Sequence, residues 1–308
     1  MLALVAILCV TVVALSSHRP ASPARPAHVQ PEAAGPGAAP QTPFVPALDP
    51  PTATPAPASP TATATPTIHV TGIVYIDPGH GGLDTGTVGY TGDGREVMEK
   101  TVTLAIALRT AALLRAAGAT VVLSRSTDTL PGLTSADLTP DGQSLTPPGV
   151  LEDLQRRIDR ANTSGAALLL SIHLNSFSDP SIGGVETYYD AARPFSAQNL
   201  RLANLVQQDV VAALHDAGYT TPDRGIIDDA DLQTESLGAL PATYNHLALL
   251  GPAVPGQLQP SEIPGVLSEP LFLSDPAEAA AALDPAMQNL IAAGYARAIE
   301  QYLSVQHP

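Results

Sequence analysis

The feature that most constrains this chain is the high proline content of residues 18–68. Of the 31 prolines in the 308-residue sequence, 14 lie in this segment, and alanine and threonine supply most of its other residues. Proline lacks the backbone donor that helices and sheets require, and the segment has few large apolar side chains to bury. We therefore predict a disordered, partly polyproline II linker at residues 18–68. The chain beyond it, about 240 residues, is long enough to bury a substantial core.

Residues 1–15 are almost entirely apolar. The run is long enough for the hydrophobic part of a signal peptide and short for a membrane span. Ala14, Leu15 and Ser16 form the small-x-small pattern that is typical of a cleavage site. We predict a signal peptide or signal anchor at residues 1–17. The protein is then exported. It is either extracellular or in the cell wall, or it is anchored at the outer face of the cytoplasmic membrane through residues 1–15.

Charge and cysteine content exclude several classes of function. The formal charge of −15 falls on the region after the linker, because the arginines and acidic residues within the linker cancel. A surface of this sign repels phosphate backbones, so we predict no nucleic-acid partner. Cys9 is the only cysteine and lies in the apolar N-terminal run. A disulfide within the chain and a cysteine-based metal site in the folded region are therefore excluded.

The sequence after the linker alternates between strand-like and helix-like segments. The strand-like segments are 69–77, 119–125, 166–174, 184–190 and 263–269, and the helix-like segments are 97–117, 151–163, 194–217 and 286–305. This alternation predicts one α/β domain at 69–308, with a twisted, mostly parallel sheet flanked by helices. Residues 126–150 are predicted to form a long polar loop, and residues 222–260 are predicted to be irregular.

Side chains capable of catalysis follow three of the predicted strands. His80 follows the first, His173 lies at the end of the third and Glu269 ends the last, while Glu99 opens the first helix. Functional sites of open α/β sheets gather at the carboxyl ends of strands. Two imidazoles and one carboxylate are the protein ligands of a catalytic zinc ion, and a second carboxylate would carry a proton to the leaving amine. These residues indicate a metal-dependent amide hydrolase and leave the roles of the two carboxylates open.

Six ordered stretches extend this pattern. They are IDPGHGGLDTGTVG, EKTVTLAIA, TVVLSRSTD, RIDRANTSGAALLLSIHLNS, GGVETYY and EPLFLSD. Together they resemble the zinc-dependent N-acetylmuramoyl-L-alanine amidases of the amidase-3 cell-wall hydrolase family, over about Ile73 to Tyr302. The resemblance implies a twisted sheet flanked by helices. It also implies hydrolysis of the amide bond between N-acetylmuramic acid and L-alanine in peptidoglycan, for cell-wall remodelling or daughter-cell separation.

The resemblance assigns roles to four residues. His80, Glu99 and His173 match the family's zinc ligands, which implies one Zn²⁺ per chain. Glu269 matches the catalytic acid/base. Glu96 also precedes the helix, where any carboxylate favours the helix dipole, but the Glu-Lys pair of the family motif favours Glu99 as the ligand.

Three further residues are candidates for binding substrate or orienting the site. Asn175 follows the strand that ends at His173, and its alternative role is that of a turn residue. Asp84 is placed to brace the glycine-rich loop or to orient His80. Arg224 is a candidate for binding a carboxylate of the substrate.

One departure from the family pattern keeps other functions open. Pro270 follows Glu269, where the family usually has a small residue. A catalytically inactive wall-binding or activator homologue is therefore one alternative, and a zinc peptidase that cuts within peptidoglycan stem peptides is another. Under each reading the partner is peptidoglycan, recognised by a local groove because the chain and the cell wall are both anionic. An activator protein remains unidentified by the sequence.

Overall fold

A computed structural model of the chain describes residues 71–232 and 239–305. The predicted signal segment and linker lie outside the described residues. The strands are β1 (Ile73–Pro78), β2 (Val88–Tyr90), β3 (Glu96–Met98), β4 (Thr120–Leu123), β5 (Leu168–Ile172), β6 (Val185–Tyr189), β7 (Asp223–Asp228) and β8 (Gly265–Glu269). The helices are α1 (Glu99–Ala116), α2 (Pro147–Thr163), α3 (Ser196–Asp216), α4 (Pro276–Leu283) and α5 (Pro285–Ser304).

Six of these strands form one sheet in the order β4-β1-β5-β8-β6-β7, and β2 and β3 form a separate antiparallel pair. Every pairing in the larger sheet is parallel except that between β8 and β6. The predicted α/β fold with a mostly parallel sheet is therefore confirmed. The expectation of an irregular chain over 222–260 is wrong at its start, because β7 forms the edge of the sheet there.

Both faces of the central strands are covered. Val74 and Ile76 of β1 join α1, α3 and α5 in one apolar cluster, while Tyr75 between them packs on the other face with Ala161 of α2. All five residues of β5 are buried, which agrees with its continuous apolar sequence. Of the helices that the structure describes, none combines the length and the apolar character that a membrane crossing requires.

Helix α2 begins four residues before its predicted start, at Pro147 instead of Leu151. The side chain of Thr146 accepts a hydrogen bond from the backbone N–H of Gly149 and caps the helix. Proline is tolerated in the first turn, because the N–H that it lacks would have no partner within the helix. The prolines that suggested a loop therefore mark the start of the helix.

The direction of β6 decides which residues share an end of the sheet. Because β6 is antiparallel to β8, Glu186 near the start of β6 lies opposite Glu269 at the end of β8. The end of β6 therefore lies at the opposite end of the sheet from Glu269. The parallel strand β7 ends there too.

Candidate metal centre

His80 lies in the glycine-rich loop that follows β1. Its φ of 61° makes it the one residue other than glycine with a positive φ in the described parts of the chain. Such a conformation is unfavourable for a side chain of this size, and it is maintained only where the surroundings enforce it. The preceding Gly79 has no side chain to obstruct His173, whose ring would lie 2.3 Å from a Cβ at that position. The loop thus brings two histidine rings together, with centroids 4.9 Å apart.

Two buried arginines hold this loop in place. Arg157 donates to the carbonyl oxygens of Pro78 and His80 at 2.9 and 2.8 Å, and to Asp77 Oδ1 at 2.7 Å. Arg125, which lies just after the neighbouring strand β4, donates to the carbonyl oxygen of Pro78 at 3.0 Å. Burial by itself raises the pKa of Asp77, but the charge of Arg157 and the hydrogen bonds to the carboxylate together lower it to about 2. A charged network therefore enforces the strained backbone at His80.

Glu99, the first residue of α1, joins the two histidines. Its Oε1 lies 3.1 Å from His80 Nε2 and 3.0 Å from His173 Nδ1, and it accepts a hydrogen bond of 2.9 Å from the N–H of Leu174. Its Oε2 accepts from the N–H of Thr87 at 2.8 Å. The carboxylate is 3% exposed. The ligand-type atoms of His80, Glu99 and His173 all lie within 4.8 Å of one another.

The alternative ligand Glu96 lies elsewhere. It is an exposed residue of β3, and its Oε2 lies 3.5 Å from the hydroxyl of Tyr90. The structure therefore brings Glu99, and not Glu96, to the two histidines.

Asp84 orients His80. Its Oδ2 lies 2.8 Å from His80 Nδ1, and its Oδ1 accepts from the N–H of Gly86 at 3.0 Å. With Nδ1 held in this way, Nε2 faces Glu99. Burial by itself lowers the pKa of His80. The carboxylates of Glu99 and Asp84 together raise it by more, so that the pKa lies well above its ordinary value.

Two observations test whether this set of residues fits a zinc ion. Two imidazoles and one carboxylate are the donor set of a catalytic zinc site with an open position. His173 Nε2 is buried and has no hydrogen-bond partner within the described residues. An unpaired buried polar atom is unfavourable, so its presence in a cluster of this chemistry is consistent with a ligand-binding role. The residues fit the group.

Glu269 ends β8 beside this cluster. It is 3% exposed, and its Oε2 has no hydrogen-bond partner among the described residues. Burial, followed by repulsion from Glu99 and Glu186, raises its pKa well above the usual value. Pro270 does not displace it, since Glu269 keeps its place in the sheet opposite Glu186. A carboxyl whose pKa is raised in this way is suited to the role of a general acid/base.

Glu186 organises the other predicted residues, and the sequence analysis missed it. Asn175 Nδ2 donates to Glu186 Oε2 at 2.9 Å. Tyr188 and the guanidinium of Arg224 also donate to this carboxylate, and Arg224 lies over the ring of Phe272 at 5.2 Å. Asn175 and Arg224 are thus in the neighbourhood of Glu269, held through Glu186. The only signal in the sequence was a glutamate in the interior of a predicted strand.

Residues 74–301 match the family model described as N-acetylmuramoyl-L-alanine amidase. The germination-specific N-acetylmuramoyl-L-alanine amidase of Bacillus subtilis (strain 168) is 29% identical over 232 residues, which cover 75% of this chain and 80% of that protein. N-acetylmuramoyl-L-alanine amidase AmiA of Salmonella typhimurium is 28% identical over 246 residues, covering 75% of each. The family match thus begins at β1 and ends within α5.

Solved structures agree with this result. The CwlD amidase from Clostridioides difficile, in complex with the GerS lipoprotein, is 25% identical with a TM-score of 0.57, and the match covers 76% of this chain and 99% of that one. The catalytic domain of CwlV from Bacillus (Paenibacillus) polymyxa var. colistinus is 28% identical with a TM-score of 0.52 and covers the same shares. The chain therefore belongs to the N-acetylmuramoyl-L-alanine amidases of the amidase-3 family.

Proposed function

We propose that this protein is a zinc-dependent amidase that hydrolyses the bond between N-acetylmuramic acid and L-alanine in peptidoglycan. Membership of the family supports the activity and the substrate class. The observation that carries the mechanism is the convergence of His80, Glu99 and His173 beside the buried, unpaired carboxyl of Glu269. A zinc ion bound there supplies a water of lowered pKa and polarises the amide carbonyl.

Glu269 would carry the proton. The carboxyl lies at the end of β8 next to the ligand cluster, and its raised pKa suits it to take up and release a proton. Amide cleavage requires that the departing nitrogen be protonated, and Glu269 is the group that we assign to this task. Because its Oε2 has no protein partner in the described chain, no hydrogen bond must be broken before the transfer.

The other residues position these groups. Asp84 fixes the ring of His80, and the main-chain N–H groups of Thr87 and Leu174 fix the carboxylate of Glu99. Arg224 is 30% exposed although it is paired with Glu186, so we propose that its free side faces a carboxylate of the stem peptide. Asn175 is buried and supports Glu186, which assigns it a positioning role.

The remaining assignments concern location and partners. We propose an exported protein with a signal peptide or anchor at 1–17, a linker at 18–68 and a catalytic domain at 69–308. The anchor would tether the domain within reach of peptidoglycan, where it would serve cell-wall remodelling or daughter-cell separation. The solved CwlD amidase is a complex with the GerS lipoprotein, and by analogy we propose that this chain also binds a protein partner, which would act as its activator.

Digestion of purified peptidoglycan by the full-length protein tests the reaction. An amidase releases intact stem peptides with L-alanine amino termini, whereas a peptidase releases shortened stems, and mass spectrometry distinguishes the two. We expect intact stems, loss of turnover after chelation and recovery on addition of Zn²⁺. Shortened stems would identify the peptidase, and turnover by fully metal-free protein would rule out the zinc mechanism.

A further inference from the structure

A second cluster of ligand-type side chains lies at the end of the sheet away from Glu269. Asp190 directly follows β6, and Asp229 directly follows β7. These neighbouring strands are parallel, so their ends lie side by side. The third member, His246, comes from the segment 239–251. No local pattern in the sequence around His246 predicts these contacts.

The geometry of the cluster leaves one carboxylate oxygen unsatisfied. His246 Nδ1 lies 3.1 Å from Asp190 Oδ2 and 3.1 Å from Asp229 Oδ1. A ring nitrogen carries at most one hydrogen, so it can donate to only one of them. Asp229 forms that hydrogen bond. Asp190 Oδ2 remains buried without a hydrogen-bond partner among the described residues, in a side chain that is 0% exposed.

The charges of the cluster are also unbalanced. Asp190 and Asp229 are both 0% exposed. The buried Arg193 donates hydrogen bonds to the main-chain oxygens of Gly251 and Ser261 and to neither carboxylate. Two buried carboxylates this close require a positive charge, and His246, the described side chain that lies between them, supplies one only when it is protonated.

We infer that Asp190, Asp229 and His246 bind a divalent cation of the zinc type, at a site separate from the cluster of His80, Glu99 and His173. The ligand-type atoms of the three residues lie within 4.8 Å of one another. Oxygen and nitrogen atoms roughly 3 Å apart have the spacing of ligands that share one cation at bond lengths of about 2.1 Å. The imidazole favours zinc and similar transition metals over magnesium or calcium.

The position of this site indicates a structural role. His246 is followed by Leu247 and Leu250, which pack against the sheet, and by Ala248 and Leu249, which pack with α2. A cation bound by His246 would fix this segment to the ends of β6 and β7. The inference goes beyond the proposed amidase reaction and does not depend on it.

Zinc stoichiometry of the full-length protein tests the inference. In a background that lacks the first cluster, His80→Ala with His173→Ala, we expect about one zinc ion per chain after dialysis against Zn²⁺, measured by inductively coupled plasma mass spectrometry. Adding His246→Gln should remove it. His215→Gln is the control, because His215 is an exposed residue whose Nε2 lies 2.9 Å from the carbonyl oxygen of Thr221 and which belongs to neither cluster. That variant should retain the zinc.

A thermal measurement supports the stoichiometry. In the same background, saturating Zn²⁺ should raise Tm by about 5 °C, and Mg²⁺ at the same concentration should not. Absence of zinc and of a Tm shift in a background that circular dichroism shows to be folded would overturn the inference. So would retention of zinc after His246→Gln. If that variant fails to fold, Asp190→Asn replaces it, and the titration of the background itself still decides the question.

Discussion

The two ends of the sheet carry two clusters of three ligand-type residues each, and they differ in where the unpaired carboxylate lies. At the end formed by β1, β5 and β8, the cluster contains two histidines and Glu99, and the unpaired acid Glu269 stands beside it. At the other end, the unpaired oxygen belongs to Asp190, a member of the cluster itself. A carboxyl group beside a set of metal ligands is free to take up and release protons. A carboxylate that is itself one of the ligands has its charge balanced by the bound cation. We therefore assign chemistry to the first end and a structural role to the second.

The two ends also differ in how the protein supports them. The first is surrounded by charged and main-chain partners, among them Arg157 on the His80 loop and Asp84 on the His80 ring. In the second, one imidazole is shared by two carboxylates, whose other oxygens accept hydrogen bonds from the N–H groups of Ala192 and Leu247, and no arginine in the described part of the chain bonds to either. The first cluster should thus keep its shape without metal better than the second. The predictions below test this difference, beginning with the largest effect.

Replacing the unpaired acid should abolish catalysis without removing zinc. For Glu269→Gln we expect a loss of about 10³-fold in kcat/KM, equivalent to about 4 kcal/mol, because the amide has the same shape but cannot carry the proton. Peptidoglycan digestion and zinc analysis measure the two effects. The exposed Glu262→Gln should retain full activity. Turnover close to wild type in Glu269→Gln would show that another group moves the proton.

Removing the arginine that supports the first end should reduce stability strongly. Arg157→Met leaves Asp77 and Asp153 buried without their shared cation, and we expect a loss of about 3 kcal/mol in the free energy of unfolding. Urea unfolding measures it. The control is Arg160→Met, which changes an exposed arginine on the same helix. Equal effects of the two changes would contradict the importance of the network for the His80 loop.

The same network predicts a loss of stability in acid. The folded-state pKa of Asp77 is about 2, below its ordinary value of 3.8. Its contribution is therefore present above about pH 4 and lost as the pH falls from 4 to 2, by about 2 kcal/mol. Urea unfolding of the wild type and of Asp77→Asn, both in the presence of a chelator and from pH 5 to pH 2, measures this contribution. The variant should lose less stability than wild type over this interval, and parallel profiles would contradict the assignment.

The smallest expected effect concerns the orientation of His80. Asp84→Asn should weaken zinc binding at the first cluster by about tenfold, because the ring loses its charged partner. Competition with a chelating dye measures this affinity. Zinc at the cluster of Asp190, Asp229 and His246 should be unaffected, as should both sites in the exposed control Asp93→Asn. An equal loss at both sites would mean that the change acts through general destabilisation.

The sequence predicted most of the first cluster because strand ends are readable locally. His80 and His173 follow apolar strands, and Glu269, beside the cluster, ends one; parallel strands bring such positions to one end of a sheet. Glu99 required the family resemblance, since composition alone did not separate it from Glu96. The second cluster was not predictable in this way. The segment 184–190 has the same alternation whichever way β6 runs, and β7 is a partly exposed edge strand with little apolar periodicity.

The sequence by itself determined the apolar strands and the glycine-rich loop after β1, because these depend on neighbouring residues and on backbone freedom. It also determined the family and hence the reaction. Only the tertiary structure decided that β6 runs against β8. That one direction brings Glu186 to Glu269 and places Asp190 beside Asp229 at the far end. The physical reason is that strand direction is set by pairing and packing between distant segments, which no local pattern specifies.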